Sequence, residues 1–406
     1  MDSTICMILA GGRGRRMDLL SYERAKPLLS FGGGFHVIDF VLTNCLRSGA
    51  KDITALVDYQ RFDVTSYLRQ WHQINGKGQC FHILGPKSGS YTGTADAVYQ
   101  NIDYLEKHKA NDVLILAADH IYKMDYSRML SFHRKTRADA TIGIVEVPIE
   151  EAYRFGIIKM AAGGKIVEFI EKPRTAKSNL ASMGIYIINK RILLEHLRRD
   201  AADPDSPHDF GHAIIPQMIE TNNVFAYKYN NYWQDIGTVD AYYQAHMELT
   251  SPTPSYSLNT SWSILTTEFA NALPPKIYRQ DHVKHSLVGP DCIIKGTVEN
   301  SVLSTGVKIE EGAIVKNSVI LANTFIGPHS LIDRCILDEN VRVGEFSYIG
   351  YANDHFSGER NITLIGKGTT IPSGTAIGRN CKVLPDVEPN DFLRKAIPSN
   401  TVLAHM

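Results

Sequence analysis

Between residues 303 and 383 the aliphatic side chains recur every six positions. Leu303, Ile309, Val315 and Leu321 form one series, and Ile314, Ile320, Ile326 and Ile332 form a second. Leu331, Leu337, Val343 and Ile349 make a third, and Ile365, Ile371, Ile377 and Val383 a fourth; Gly306/Gly312 and Gly344/Gly350 keep the same step. That period fits neither an α-helix nor a single long strand. It fits a β-helix in which each flat side takes about six residues and turns one apolar side chain inward. Stacked coils then bury aliphatic columns that no single coil could bury alone. A β-sandwich with irregular apolar spacing is the simpler alternative, and four independent series of four members disfavour it.

The first 250 residues are patterned differently. Ile5-Cys6-Met7-Ile8-Leu9-Ala10 is an unbroken apolar run halted by Gly11-Gly12, as expected of a strand buried on both faces of a parallel sheet. The runs at 52–57 and 113–118 repeat the pattern, the latter stopping at Asp119. Helical stretches are predicted near 38–48 and over 94–108, where Ala95, Val98, Ile102 and Leu105 recur at three- and four-residue steps. Strand, helix and strand in succession imply a layered α/β sheet with ligand chemistry at the carboxyl ends of the strands. Residues 251–275 hold Pro252, Pro254, Pro274 and Pro275 among Ser and Thr, a linker composition. The 406 residues therefore divide into an α/β domain over 1–250, a linker over 251–280 and a β-helix over 281–406.

Lys plus Arg and Asp plus Glu balance at 43 each, which argues against nucleic acid or an anionic membrane as the main partner. No stretch of about 18 apolar residues is present to span a bilayer. Met1-Asp2-Ser3-Thr4 runs into the first strand without a basic leader. The cysteines at 6, 45, 80, 292, 335 and 381 show no paired spacing, so reduced thiols in a cytoplasmic protein fit better than a disulfide framework or a zinc site.

Leu9-Ala10-Gly11-Gly12-Arg13-Gly14-Arg15-Arg16 follows the first strand. Glycines there let backbone N–H groups approach a ligand, and such a nest favours phosphate oxygens. A tight turn needs glycine too, and the run matches neither the dinucleotide G-x-G-x-x-G nor the Walker pattern. Its cations say more: Arg13, Arg15, Arg16, Arg24 and Lys26 fall within one short segment. Arginine grips phosphate at two points and lysine supplies a point charge; a solvated basic loop is the plain alternative.

The blocks Gly11-Gly12-Arg13-Gly14-Arg15-Arg16, Arg24-Ala25-Lys26-Pro27, Phe31-Gly32-Gly33, Ile38-Asp39-Phe40 and Asn44-Cys45 closely resemble the start of the glucose-1-phosphate adenylyltransferases (ADP-glucose pyrophosphorylases). The resemblance continues through Tyr91-Thr92-Gly93-Thr94-Ala95-Asp96-Ala97-Val98 and Asp119-His120-Ile121-Tyr122-Lys123-Met124-Asp125-Tyr126. Phe155-Gly156, Glu171-Lys172-Pro173, Ala181-Ser182-Met183-Gly184-Ile185-Tyr186, Asp209-Phe210-Gly211 and Tyr232-Trp233-Gln234-Asp235-Ile236-Gly237-Thr238 follow in order. It implies a Rossmann-like (GT-A-like) nucleotidyltransferase domain followed by a left-handed parallel β-helix of hexapeptide repeats. It also implies the reaction ATP + α-D-glucose 1-phosphate → ADP-glucose + pyrophosphate, supplying glycogen or starch-like α-glucan synthesis, and a homotetramer assembled through the β-helix.

That chemistry brings two anions together, so the site has to offset their repulsion and align attacker with leaving group. A divalent cation and cationic side chains are the usual means. Asp119 stands where an apolar strand ends, and Asp235 lies in a second apolar-flanked stop. Alone, each reads as a cap or turn residue; the resemblance makes them ligands of Mg2+, which takes a few carboxylate oxygens and leaves the rest to phosphates and water. It places Arg16 and Lys26 on the triphosphate, completing with Asp119 the catalytic set. Lys172 matches the lysine that binds the phosphate of glucose 1-phosphate, with Gly156 at the same subsite. Glu171, with no cation of its own to pair, fits as an acceptor for sugar hydroxyls, and Ser182 and Tyr186 act likewise. Tyr91 resembles the aromatic near adenine; Gly11 and Gly12 go with the nucleotide, and Gly93 lets the backbone approach the base. Asp96 has a plainer role open to it, capping the helix it begins. Direct displacement needs no side-chain nucleophile.

Many family members carry a lysine just before the Arg-Ala-Lys-Pro block for sugar-phosphate activators; here it is Glu23, which repels phosphate, and Ser90 stands where an aromatic often precedes the counterpart of Tyr91. Weak or absent activation by fructose 1,6-bisphosphate is the expectation. Ala118 replaces a glycine, and Met17 replaces a leucine at near-equal volume. Retention of Arg16, Lys26, Asp119, Lys172 and Asp235 favours a catalytic chain over the family's non-catalytic regulatory subunits. A sugar nucleotidyltransferase using UTP, dTTP or GTP stays open. So does an acyltransferase, for which His329 and His355 are the nearest histidines in the coils, or a purely architectural β-helix.

Overall fold

The computed structural model describes residues 1, 3–258, 262–269, 271–351 and 362–405; His355 lies outside them. Two compact units divide the chain, Met1–Arg13 with Ile38–Trp233, and Gly14–Val37 with Gln234–Met406. The boundary expected at residue 250 follows the chain, whereas the compact units give the cationic segment 14–37 to the same body as the coils.

In the first unit the strands are β1 (Thr4–Leu9), β2 (Asp52–Leu56), β3 (Cys80–Leu84), β4 (Asp112–Ala117), β5 (Ala140–Glu146), β6 (Gly156–Met160), β7 (Ile166–Glu171), β8 (Leu180–Asn189) and β9 (Val224–Lys228). They form one nine-stranded sheet in the order β7-β6-β8-β4-β1-β2-β3, with β5 joined to β8 and β9 to β5. β1 lies parallel between β4 and β2, with Cys6 opposite Ile53 and Leu114. Ile5, Cys6, Met7 and Ile8 are all fully buried, which is what an unbroken apolar run requires of a central strand. The sheet is mixed, because β8 runs antiparallel to both β4 and β5. Its register breaks between Ser182 and Tyr186, where Gly184 takes a φ of 65°.

The helix expected over 94–108 is two helices, α1 (Thr94–Tyr99) and α2 (Ile102–Lys107). Asn101 separates them. Its side-chain amide donates to the Ala97 carbonyl at 2.9 Å and to the Tyr91 hydroxyl at 3.0 Å, so a side chain takes the place of the backbone ladder. Among the described residues no helix is long and apolar enough to cross a membrane.

The second unit is built on a left-handed β-helix, with walls of six, seven and seven parallel strands among the described residues. Ile309, Ile326, Val343 and Ile371 stack up the first wall, Val315, Ile332, Ile349 and Ile377 up the second, and Leu303, Ile320, Leu337, Ile365 and Val383 up the third. All of them belong to one buried cluster. The last expected series keeps its phase throughout, and the other three each slip once. Leu321 yields its place to Ile320, while Ile314 and Leu331 face outward, Ile314 at 42% exposure. The cause is the third wall: from Val315 to Ile320 and from Ile332 to Leu337 the step is five residues, and a one-residue slip in a strand reverses the face. At the corners small polar residues satisfy the backbone, as where Ser318 N–H donates to Ser301 Oγ at 3.1 Å and Ser347 N–H to Ser330 Oγ at 3.1 Å.

Segment 14–37 and helix α3 (Val239–Leu249) belong to this unit through contacts with the third wall. Tyr243 donates to the Asn317 carbonyl at 2.7 Å, and Val302, Val319 and Ile336, which point outward from that wall, are fully buried. The Pro-rich stretch expected as a linker is packed as well, with Tyr256 and Ile264 buried. The phase of the coils can be checked directly. Ile320→Ala is expected to cost about 2–5 kcal/mol in a denaturant titration, as for a buried aliphatic in a tight core, and Ile314→Ala well under half of that.

Candidate active site

Because β1 and β4 are parallel neighbours, their carboxyl ends open at the same sheet edge, one carrying Gly11-Gly12 and the other Asp119. A Cβ on Gly11 would stand 3.1 Å from Asp58 Cβ and 3.4 Å from the Tyr91 ring, whereas Gly12 faces open space. Tyr91 N–H donates to Asp58 Oδ2 at 3.1 Å. Burial pushes the Tyr91 phenol up to about 12, so its hydroxyl keeps its proton and accepts the Asn101 amide. The Arg13 guanidinium lies 5.6 Å over the Tyr59 ring. Asp96 Oδ2 accepts from Thr92 N–H at 2.9 Å and from Gln100 Nε2 at 2.8 Å, tying the turn before α1 to the helix. At Gly93 a side chain would collide with the His208 carbonyl, which accepts Ala95 N–H at 2.9 Å and Asp96 N–H at 3.2 Å. The close approach at Gly93 is thus to the chain's own backbone. Asp119 Oδ1 lies 3.4 Å from His120 Nε2, and the His120 ring packs edge-on against Trp233 with centroids 5.0 Å apart.

A second cluster of the same unit gathers where β6 begins and β7 ends, with Gly156 opposite Glu171 in the ladder. Glu171 Oε2 would lie 2.8 Å from a Cβ at Gly156 and 2.5 Å from one at Gly211, so both glycines keep room for the carboxylate. The expectation that Glu171 has no cation to pair is overturned: the Lys172 ammonium binds it. Lys172 takes a left-handed φ of 46°, costly for a residue with a Cβ, and folds back on its neighbour. Ser182 Oγ accepts from Gly184 N–H at 3.2 Å inside the β8 bulge, and past the bulge Tyr186 stacks on Phe210 at 5.7 Å. Burial raises the Tyr186 phenol, so it too stays protonated. Asp209 accepts from Thr94 Oγ1 at 2.8 Å, Gly211 N–H at 2.9 Å and His212 N–H at 3.1 Å. Burial works against the Asp209 charge, but the hydrogen bonds from Thr94 and His212 outweigh it and hold the carboxyl below its ordinary range.

In the other unit, Arg16, Lys26 and Asp235 come together. Lys26 is only 5% exposed, and its ammonium lies 3.6 Å from Asp235 Oδ1. Gly14, at a φ of 66°, sits where a Cβ would come within 2.9 Å of Lys26 Cβ. A Cβ at Gly237 would stand 2.8 Å from Asp235 Oδ2 and 3.3 Å from an Arg16 guanidinium nitrogen, so that glycine leaves acid and guanidinium facing one spot. Arg24 departs from the cationic group: it is buried against Asp338 Oδ1 at 3.0 Å and Glu339 Oε2 at 2.9 Å.

A layered sheet with a glycine- and arginine-rich loop after its first strand, followed by a hexapeptide β-helix, defines a nucleotidyltransferase. Residues 5–252 match the Nucleotidyl transferase family and residues 271–371 the GlmU-like C-terminal hexapeptide family. The chain is 40% identical to the glucose-1-phosphate adenylyltransferase of Acetivibrio thermocellus over 96% of its own length and 94% of that protein's. It is 40% identical to those of Thermomicrobium roseum, covering 98% and 97% of the two chains, and Pseudothermotoga lettingae, covering both in full. It belongs to the glucose-1-phosphate adenylyltransferase family.

Sequence reasoning left Asp58, Asn101 and Asp209 without roles. Asp209 lies in a block that carries the family resemblance; Asp58 and Asn101 both bond Tyr91, but neither lies in a motif that marks it. Asp209→Asn is expected to lower stability by about 1–3 kcal/mol by opposing an amide to the donors that the carboxylate accepts. Because the folded-state pKa of Asp209 is depressed, its stabilisation is complete above the ordinary carboxylate pKa of about 3.9 and is lost as pH falls through the lower folded value. Thermal unfolding of the two proteins across pH should therefore show their gap closing on the acid side.

Proposed function

We propose that this protein transfers the adenylyl group of ATP to α-D-glucose 1-phosphate, giving ADP-glucose and pyrophosphate for glycogen or starch-like α-glucan synthesis. The observation that supports this most is the convergence of Arg16 and Lys26 on Asp235, two cations and one acid built from a single compact unit. In this reading a phosphate oxygen of glucose 1-phosphate attacks the α-phosphorus of ATP, the bond to the bridging oxygen of the β-phosphate breaks, and pyrophosphate leaves in line. Arg16 binds the triphosphate and offsets the charge gathering on the departing pyrophosphate, and the buried Lys26 holds a fixed ammonium on the same phosphates. Lys172 leaves Glu171 to take the phosphate of glucose 1-phosphate, which frees Glu171 for sugar hydroxyls together with Ser182 and Tyr186. Gly156 keeps that subsite open. Tyr91 offers its face to adenine beside Gly11 and Gly12, and Gly93 holds the turn that carries it.

Asp119 and Asp235 are the residues for Mg2+, which when bound neutralises part of the triphosphate charge. The donor set fits a hard cation, since both residues offer carboxylate oxygens and Asp119 is partly exposed at a strand end. The same reading makes the protein cytoplasmic, in keeping with its unpaired cysteines, and a homotetramer assembled through its β-helix.

Pyrophosphate release measured with glucose 1-phosphate and each of ATP, UTP, dTTP and GTP tests the substrate reading. ATP should dominate, and equal turnover with another nucleotide overturns it. Asp119→Asn should cost at least about 10²-fold in kcat, as loss of a charge-stabilising group does; full turnover would remove Asp119 from the catalytic and metal-binding set. Glu23 lies 3.8 Å from Lys367 and adds a negative charge beside that lysine. Fructose 1,6-bisphosphate should give little or no activation in the same assay.

A further inference from the structure

We propose that Lys382, on the β-helix, is a positioning residue that sets the phosphate-binding guanidinium of Arg16 by holding Asp18; this rests on the reading of Arg16 given above. The outward column of the third wall aligns Val302, Val319, Ile336, Leu364, Lys382 and Val402. A lysine interrupts an aliphatic column, and its ammonium binds the Asp18 carboxylate. Asp18 lies within the turn Arg15–Ser21 at φ 53° and ψ −135°, a conformation that costs a residue with a side chain about 1–3 kcal/mol and persists only where its surroundings impose it. The Lys382 ion pair is such an imposition. The Ser21 hydroxyl is another, reaching the Gly14 carbonyl at 2.9 Å and the Asp18 carbonyl at 3.2 Å.

Arg16 precedes Asp18 by two residues, and Arg16, Asp18, Asp240 and Lys382 all line one cavity of about 590 Å³. Two consequences follow from the charges. With Lys382 in place, the strained turn points Arg16 to the space over Gly237 beside Asp235. Without it, an uncompensated Asp18 carboxylate in the same cavity would draw Arg16 to itself and repel a triphosphate. Lys382 touches no substrate in this scheme and acts only through Asp18.

Steady-state kinetics of the full-length protein test the arrangement as a double-mutant cycle. Lys382→Met should lower kcat/KM for ATP by about 10²-fold, the scale of a misplaced catalytic group, with the KM for glucose 1-phosphate unchanged. Lys382→Arg should restore most of it, and the exchange Asp18→Lys with Lys382→Asp should recover part. In an Arg16→Ala background, Lys382→Met should add little, because its effect passes through the missing group. An undiminished kcat/KM in Lys382→Met, an equal loss for both substrates, or the same loss with Arg16 absent overturns the proposal. If Lys382→Met folds poorly, the charge exchange decides alone, and no recovery in it overturns the proposal too. Wild-type turnover in Arg16→Ala itself would instead remove the reading of Arg16 on which the inference stands.

Discussion

The buried ion pair of Arg24 with Asp338 and Glu339 is the constraint on which the lie of the cationic segment 14–37 depends. The guanidinium donates from both terminal nitrogens to Asp338 Oδ1 at 3.0 Å, across 314 positions of sequence. Burial opposes the charge on Arg24, but the two carboxylates more than offset it and keep the guanidinium firmly protonated. Such a pair is not a strong source of stability, since desolvation consumes much of the Coulomb gain. What it does supply is register. Removing one partner strands a buried charge, at about 3–5 kcal/mol, so the segment has one place to lie. Lys26 is two residues further on, and its ammonium inherits that position.

The far end of the segment is fixed by neutral groups. Tyr242 of α3 donates to the Ser30 carbonyl, and the His246 ring lies 4.5 Å from Phe31. Burial pushes His246 down to about 4, so the ring is neutral and its Nε2 accepts Gly32 N–H at 3.3 Å. Charges thus anchor the part of the segment near Arg16 and Lys26, and packed uncharged rings anchor the part that leads into the sheet. The charged contacts at Asp18, Glu23 and Arg24 reach three different coils, Lys382, Lys367 and Asp338.

How much of this the sequence discloses depends on whether the cause is local. The central strands are legible because burial on both faces writes an unbroken apolar run, as in Ile5–Ile8. The coils are legible as a period but not in phase, because nothing local marks the third wall as one residue short. The break at Asn101 is invisible because an asparagine side chain, not a proline or glycine, replaces the backbone ladder. The placement of residues 14–37 with the coils is invisible because its contacts span hundreds of positions. At the candidate site the residue types stand out in the sequence, Asp119 by its strand end, Arg16 and Lys26 by their cluster. Arg24 belongs to that cluster by type but serves a fold contact. Glu171 and Lys172 are neighbours in sequence, yet their pairing follows from a left-handed φ that no residue type there announces.

The two candidate clusters are consequently held by different kinds of force. Arg16, Lys26 and Asp235 owe their mutual geometry to the body that holds the coils, through ion pairs and a strained turn. Glu171, Lys172, Ser182 and Tyr186 owe theirs to the sheet, through a bulge at Gly184 and the absence of Cβ atoms at Gly156 and Gly211. The chain leaves the sheet unit at Arg13 and re-enters it at Ile38, so Arg16 and Lys26 are carried by a covalent excursion into the β-helix unit. The cluster around Glu171 combines both kinds: glycines at 156 and 211 leave room for its carboxylate, and the Lys172 ammonium pairs with it.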